Sequence, residues 1–254
     1  MPKKELGQHW LHDQAILEQI AAEARLEKQD TVLEVGPGLG TLTRVLCEQA
    51  EKVVAVEFDQ ALAAELPERV AQSNLEVQNH DILDFDLSQL PENYKVVANI
   101  PYYLTSHLIR RLLESDNQPA SIVLLVQKEV AERVVAEPGQ MSILSVSAQH
   151  YSECRLGVEV AAEYFTPPPQ VDSQVVVLEP RTPRDVDEQT FFRIVKAGFG
   201  EKRKKLANSL SGGLHLDKAL VAETLSALQL GENVRAQELS LEQWYALYER
   251  LELG

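Results

Sequence analysis

Cysteine is scarce in this chain. Only Cys47 and Cys154 occur, far apart, with no C-x-x-C pair and no Cys/His cluster at metal-ligand spacing. That excludes a disulfide-stapled scaffold and a zinc module, and it fits a reducing compartment. Long apolar runs are missing too. The stretch from Ile122 to Val126 falls far short of the roughly 20 residues that span a bilayer. The opening MPKKELGQHW has no apolar segment of the secretory kind, so the chain reads as cytoplasmic and without a membrane partner. There is no internal repeat and no low-complexity tract. Positive charge is in short supply: 24 Lys and Arg stand against 39 Asp and Glu, a net charge of −15. Such a balance favours solubility and argues against a polyanionic partner unless cations are concentrated locally.

What is present suffices for one large α/β domain and a smaller one: 254 residues, 44% of them hydrophobic. Asp13 is a candidate N-cap, and Ile16, Leu17, Ile20 and Ala24 follow at helical spacing. Apolar strands then alternate with helices. TVLEV (31–35), KVVAVE (52–57), LEVQNHD (75–81), YKVVANI (94–100) and ASIVLLVQ (120–127) read as strands, with helices over about 41–50, 59–70 and 105–114. Near-continuous apolar strands separated by helices predict a parallel sheet covered on both faces. SILSVSAQHYSECRLGVEV (142–160) reads as one long strand and QVVVLEP (174–180) as the last, the two forming an antiparallel edge pair; between them YFTPPPQVDS is a stiff extended turn. From residue 181 on every segment has helical spacing, and Phe191, Phe192, Trp244 and Tyr245 are candidates for a second core. The expected architecture is therefore α/β, a doubly wound, mostly parallel seven-stranded sheet over residues 1–180 with a small helical domain over 181–254.

Gly36, Gly38 and Gly40 separate the first of these strands from a helix. Glycines there let the backbone approach a ligand and turn through positive φ, and the helix N-terminus favours an anionic group. Glu57 ends the next strand, where a carboxylate accepts ribose hydroxyls in nucleotide-binding sheets. A dinucleotide fingerprint, G-x-G-x-x-G, is not met: its third position is Thr41. The G-x-G-x-G spacing, with Glu34 two residues ahead, looks like the S-adenosyl-L-methionine site of doubly wound methyltransferases. Asp81, at the end of the third strand, suits the exocyclic amine of that cofactor's adenine, with Ile82 packing on the ring.

The fourth strand ends in ANIPYYLTS (98–106). Asn99 supplies an amide oxygen at the carboxyl edge, where ligands bind in such sheets. Pro101 lacks an N–H and biases Ile100 to an extended conformation, which turns the Ile100 carbonyl towards the cleft. Two acceptors side by side fit an NH2 group, and Tyr102 offers a flat face for a planar base. An adenine amine is a poor nucleophile because its lone pair is delocalised; accepting hydrogen bonds from it returns density to the nitrogen and orients it. Positioning and electrostatics then carry a methyl transfer, with no general base needed before attack. A helical substrate must present its base flipped out or unpaired.

With these motifs, GQHWLHD (7–13), EFD (57–59), VQKEVAERVVAEPG (126–139), FTPPPQVDS (165–173) and FGEKRKKLANSL (199–210) appear in order, and the sequence resembles the ribosomal RNA adenine N6,N6-dimethyltransferase family over nearly its whole length. Trp10 stands where that family usually has Phe, and Glu201 where it usually has Gln. The resemblance implies a class I methyltransferase fold. It implies that His9 and Leu11 line the cofactor site with Gln8 nearby, that Gly36, Glu57, Asp81 and Asn99 contact S-adenosyl-L-methionine, and that Asn99, Ile100, Pro101 and Tyr102 form the target-base site. It further implies a monomer that dimethylates two adjacent adenines in the 3′-terminal hairpin loop of small-subunit rRNA, late in assembly of the pre-30S particle.

Residues 181–205 resolve the charge question locally: eight Lys and Arg against four acids. Lys202, Arg203, Lys204 and Lys205, expected at a helix start beside the cleft, are the candidate RNA contacts. His9 and His12 are spaced for a metal but lack a third ligand, so no metal site is expected. Three other readings compete: a large-subunit adenine methyltransferase of the macrolide-resistance type, a non-catalytic assembly factor, and a nicotinamide dehydrogenase. The intact Asn99–Tyr102 motif opposes the second, and Thr41 opposes the third.

Overall fold

The computed structural model describes residues 9–101, 104–201 and 203–251. In chain order it contains β1 (Trp10–Leu11), α1 (Gln14–Glu23), β2 (Thr31–Val35), α2 (Thr41–Gln49), β3 (Lys52–Glu57), α3 (Gln60–Val70), β4 (Leu75–Asn79), β5 (Lys95–Asn99), α4 (Thr105–Leu113), β6 (Ser121–Gln127), α5 (Lys128–Val134), α6 (Ile143–Tyr151), β7 (Ser152–Val160), β8 (Phe165–Thr166), β9 (Ser173–Pro180), α7 (Glu188–Phe199), α8 (Leu206–Leu214), α9 (Lys218–Ala227) and α10 (Leu241–Leu251). The helix starts follow local chemistry. Asp13 accepts the Ile16 N–H at 3.0 Å and Asp59 the Ala61 N–H at 3.0 Å, each satisfying a donor that the first turn leaves unpaired.

The chain divides into two compact units, residues 1–132 with 151–181, and residues 133–150 with 182–254. The first holds a seven-stranded sheet of order β4-β3-β2-β5-β6-β9-β7. Its first five strands are parallel; β9 runs antiparallel to both β6 and β7, and a bulge interrupts the β7–β9 register between Leu156 and Glu159. Val53–Val56, Val96–Ala98 and Ile122–Val126 are buried throughout, as strands covered on both faces must be. Leu17 and Ile20 of α1, Leu42, Val45 and Leu46 of α2, and Leu66 and Val70 of α3 pack on one face of that sheet.

Strand order places the site. From β2 the chain moves outward through β3 to β4, then returns to β5 on the other side and continues to β6. The loops after β2 and β5 therefore leave in opposite directions and open a crevice at the carboxyl ends of those strands. A separate two-stranded ladder pairs Trp10 with Thr166 and Leu11 with Phe165.

The second unit has its own core. Phe191, Ile194 and Val195 of α7 meet Leu206 and Leu210 of α8, Val221 and Leu225 of α9, and Trp244, Tyr245 and Leu247 of α10.

Two expectations change. Residues 142–160 are not one strand: Ile143–Tyr151 is helix, and the strand begins at Ser152. A short run of β-branched and small residues is ambiguous by periodicity. The decision falls to a reciprocal cap in which Ser142 N–H donates to Ser145 Oγ at 2.6 Å and Ser145 N–H to Ser142 Oγ at 3.2 Å. Moreover, residues 133–150, assigned above to the first domain, cluster with the helices after 182, where Met141 and Val146 join the second core.

Candidate active site

Four strand ends converge on one cavity of about 190 Å³. After β2 the backbone turns through positive φ at Gly36 (+66°), Gly38 (+58°) and Gly40 (+80°). The need for glycine differs between them. A Cβ on Gly40 would lie 2.6 Å from Val70 Cγ2 and 2.7 Å from Leu66 Cδ1, so this residue lets α2 begin hard against α3. Among the described residues a Cβ on Gly36 would meet only Pro101 Cδ, at 3.9 Å, across the crevice. Gly36 is thus open space where a ligand comes close to backbone.

Glu57 ends β3, nearly fully buried. Its Oε2 accepts the Gly38 N–H at 3.1 Å and its Oε1 the Asp59 N–H at 2.8 Å. Burial holds its carboxyl above the usual range, and the Asp59 and Gly38 N–H groups pull it back. Each oxygen retains a lone pair, the arrangement that adjacent ribose hydroxyls require. Asp81 follows β4. One of its oxygens accepts the Leu83 N–H at 2.9 Å, and the other makes no hydrogen bond among the described residues. Ile82, buried, lines the cavity beside it.

Asn99, half-buried, ends β5 opposite Leu125 of β6. Among the described residues no hydrogen bond engages its amide or the Ile100 carbonyl. The Pro101 carbonyl accepts the Leu104 N–H at 3.0 Å, closing the turn into α4. Tyr102 lies outside the described residues, as does Gln8. His9 Nδ1 is 2.7 Å from the Pro167 carbonyl oxygen, and the Leu11 carbonyl accepts the Thr41 hydroxyl at 2.9 Å. The structure thus gathers His9, Leu11, Gly36, Glu57, Asp81, Asn99, Ile100 and Pro101 around one cavity.

Glu34, read above as part of the glycine-loop pattern, shares that lining, and so do two residues not assigned to the site: Trp10, and Phe58, which is 63% exposed at the rim. The signal for Phe58 was its place after the strand-end Glu57. Glu34 is buried beneath the glycine loop, and its Oε2 has no hydrogen-bond partner among the described residues. An unpaired buried carboxylate oxygen, a carboxylate held by two backbone donors, and a positive-φ loop with open space at Gly36 suit a cationic nucleoside such as S-adenosylmethionine.

The basic run is less free than its count implies. Lys202 lies outside the described residues. Lys205 is the N-cap residue of α8 but caps nothing with its side chain, and Lys204 pairs with Glu201 at 2.5 Å. Further back, Arg184 bridges Glu242 (3.1 Å) and Glu249 (2.7 Å), and Arg181 reaches Glu153 at 3.8 Å. Among the described residues no ion pair joins Arg193, Lys196, Arg203 or Lys205. Burial, with the Glu34 and Glu48 charges, pushes the Cys47 thiol up to about 12, the behaviour of a packing residue. Among the described residues no group of three or more His, Cys, Asp or Glu is arranged for a metal, and no helix is long and apolar enough to cross a membrane.

The family described as ribosomal RNA adenine dimethylase matches residues 2–253. The chain is 42% identical over 252 residues to the ribosomal RNA small subunit methyltransferase A of Dehalococcoides mccartyi, covering 96% of this chain and 87% of that one. With the protein of the same name in Clostridioides difficile the identity is 40% over 256 residues, with coverage of 96% and 89%. Among solved structures, a dimethyladenosine transferase from Plasmodium falciparum superposes with a TM-score of 0.81 at 26% identity, over 94% of this chain and 96% of that one. The 23S rRNA methyltransferase ErmE superposes with a TM-score of 0.79 at 30% identity, over 96% and 99%.

Proposed function

The chain belongs to the ribosomal RNA adenine dimethylase family, and from that premise we propose that it methylates the N6 amine of two adjacent adenines in the 3′-terminal hairpin loop of small-subunit rRNA. The observation that supports this most directly is that Asn99, Ile100 and Pro101 share a cavity with Gly36, Glu57 and Asp81. S-adenosylmethionine, when bound, supplies an electrophilic methyl group.

The protein's own part is binding and orientation. Glu57 takes the ribose hydroxyls, Asp81 the adenine amine of the cofactor, and Gly36 leaves room for close approach. The Asn99 amide oxygen and the Ile100 carbonyl, neither hydrogen-bonded among the described residues, accept the two N–H bonds of the substrate amine. That holds the nitrogen lone pair towards the methyl donor, and removal of one such polar contact typically costs about 10²–10³ in rate. Tyr102 stacks on the base, contributing roughly 1–3 kcal/mol against the few kcal/mol of unstacking. His9 and Leu11 close the cofactor side of the cavity. Lys202, Arg203, Lys204 and Lys205 contact phosphates. The working unit is a cytoplasmic monomer acting on a pre-30S particle.

The test is direct. The protein is incubated with S-adenosylmethionine carrying a labelled methyl and with unmethylated small or large subunits; the RNA is digested and the labelled nucleoside identified. N6,N6-dimethyladenosine from small subunits is expected. Label confined to large-subunit RNA would replace this reading with the large-subunit one, and no label in either would leave a binding role.

A further inference from the structure

We propose that the Gln127 side-chain amide donates a hydrogen bond to the ring nitrogen beside the amine of the target adenine, a third substrate contact next to Asn99 and Ile100. The inference rests on the adenine-methylation reading of the cavity.

Sheet register carries it. β6 is the neighbour of β5 on the side away from β2, and Asn99 pairs with Leu125. Paired residues of adjacent strands point to the same face, and so does every second residue along a strand. Gln127, the last residue of β6, therefore points to the face of Asn99, one pleat nearer the carboxyl edge. The core agrees: Val97, Val123, Leu125, Val175 and Val177, which alternation places on that face, belong to one cluster. Leu11 and Leu17 are in the same cluster and line the cavity, so the cavity opens on this face. Strand spacing and rise put the Cα atoms of Asn99 and Gln127 about 8 Å apart, a separation that two amide side chains bridge to the edge of one base.

The chemistry of the base asks for such a group. An adenine amine is flanked by the ring nitrogens N1 and N7, and both are hydrogen-bond acceptors. The two oxygens assigned to the amine cannot serve them. The three carboxylates that line the cavity, Glu34, Glu57 and Asp81, are acceptors when ionised. A ring nitrogen buried without a donor costs free energy that a single N–H recovers. Gln127 is half-buried, and no hydrogen bond among the described residues engages its side-chain amide. It follows the wholly buried apolar run Ile122–Val126, so the strand changes from packing to polar chemistry where it reaches the crevice. Its amide brings two N–H donors to that point.

Single-turnover methylation of unmethylated small subunits by the whole protein measures this. Gln127→Leu and Gln127→Glu, the second of equal size but without the N–H groups, should each slow methylation by roughly 10- to 100-fold. Affinity for S-adenosylhomocysteine and the melting temperature should stay unchanged, which a damaged fold would not allow. Small subunits assembled with 1-deazaadenosine or with 7-deazaadenosine at both target positions identify the nitrogen. One of the two should react more slowly with the unaltered protein by a similar factor, and in Gln127→Leu that same replacement should cost nothing further. A normal rate in both variants, an equal loss of S-adenosylhomocysteine affinity, or losses from Gln127→Leu and from each deaza base that multiply independently overturns the Gln127 assignment alone. Equal rates of the unaltered protein on all three substrates overturn it without any variant. Absence of methylation of unmodified small subunits overturns the function proposed above, and this inference with it.

Discussion

The two ends of the cavity are built differently. On the side proposed for the cofactor, two of the three carboxylates already accept backbone hydrogen bonds: Gly38 and Asp59 N–H groups hold both Glu57 oxygens, and Leu83 N–H holds Asp81. On the side proposed for the target base the Asn99 amide and the Ile100 carbonyl have no hydrogen bond among the described residues. A fixed carboxylate presents one geometry to a ligand that every turnover shares. Unengaged acceptors at a strand end leave their full capacity for a substrate amine. On the proposed function, the difference teaches that affinity and chemistry fall to separate walls of one crevice.

Substitutions should separate the two walls. The largest effect is expected from Asn99→Ala: turnover on unmethylated small subunits falls by about 10²–10³, with a much smaller loss of cofactor affinity and an unchanged melting temperature. A near-normal rate in single-turnover assays would end the two-acceptor account. Glu57→Gln should invert the pattern, weakening cofactor binding by roughly 10- to 100-fold while leaving RNA binding intact. Next comes Gly40→Ala, whose Cβ would collide with Val70 and Leu66 at positive φ; chemical denaturation should show a loss of about 1–3 kcal/mol. Gly36→Ala has only Pro101 nearby among the described residues and should lose cofactor affinity in excess of stability. Glu34 adds a pH signature. Its carboxyl is raised in the folded state, from 4.5 to about 8, so the folded state holds the proton longer than the unfolded one. Stability without cofactor should fall as pH rises through that window, and Glu34→Gln should flatten this decline. The smallest effect is expected from Arg203→Ala with Lys205→Ala. Taking away two cations proposed to contact phosphates should lower the salt slope of RNA binding by roughly 1–2, and an unchanged slope would remove them from the interface.

The basic run shows how far sequence reading reaches. Charge counting marks residues 181–205 as cationic, yet Arg184 is committed to Glu242 and Glu249, which lie far along the chain on α10. Similarly, Glu34 is conspicuous in the sequence only as a neighbour of the glycine loop. Its unpaired oxygen depends on what α2 and β3 bring, or fail to bring, against it. Residues 143–151 read as strand because their apolar spacing is ambiguous; the Ser142–Ser145 cap and the packing of Met141 and Val146 in the second core made them helix.

What the chain determined by itself was everything set by short-range restriction: buried strands from continuous apolar runs, helix starts at Asp13 and Asp59, a turn at Gly36–Gly40, and a bend at Pro101. These follow from backbone sterics and from hydrogen bonds between near neighbours. Only the tertiary structure decided which carboxylates share a cavity, which cations are held in ion pairs and which segment joins which core. Those outcomes depend on burial and on partners supplied by distant residues, and strand order in the sheet selects them.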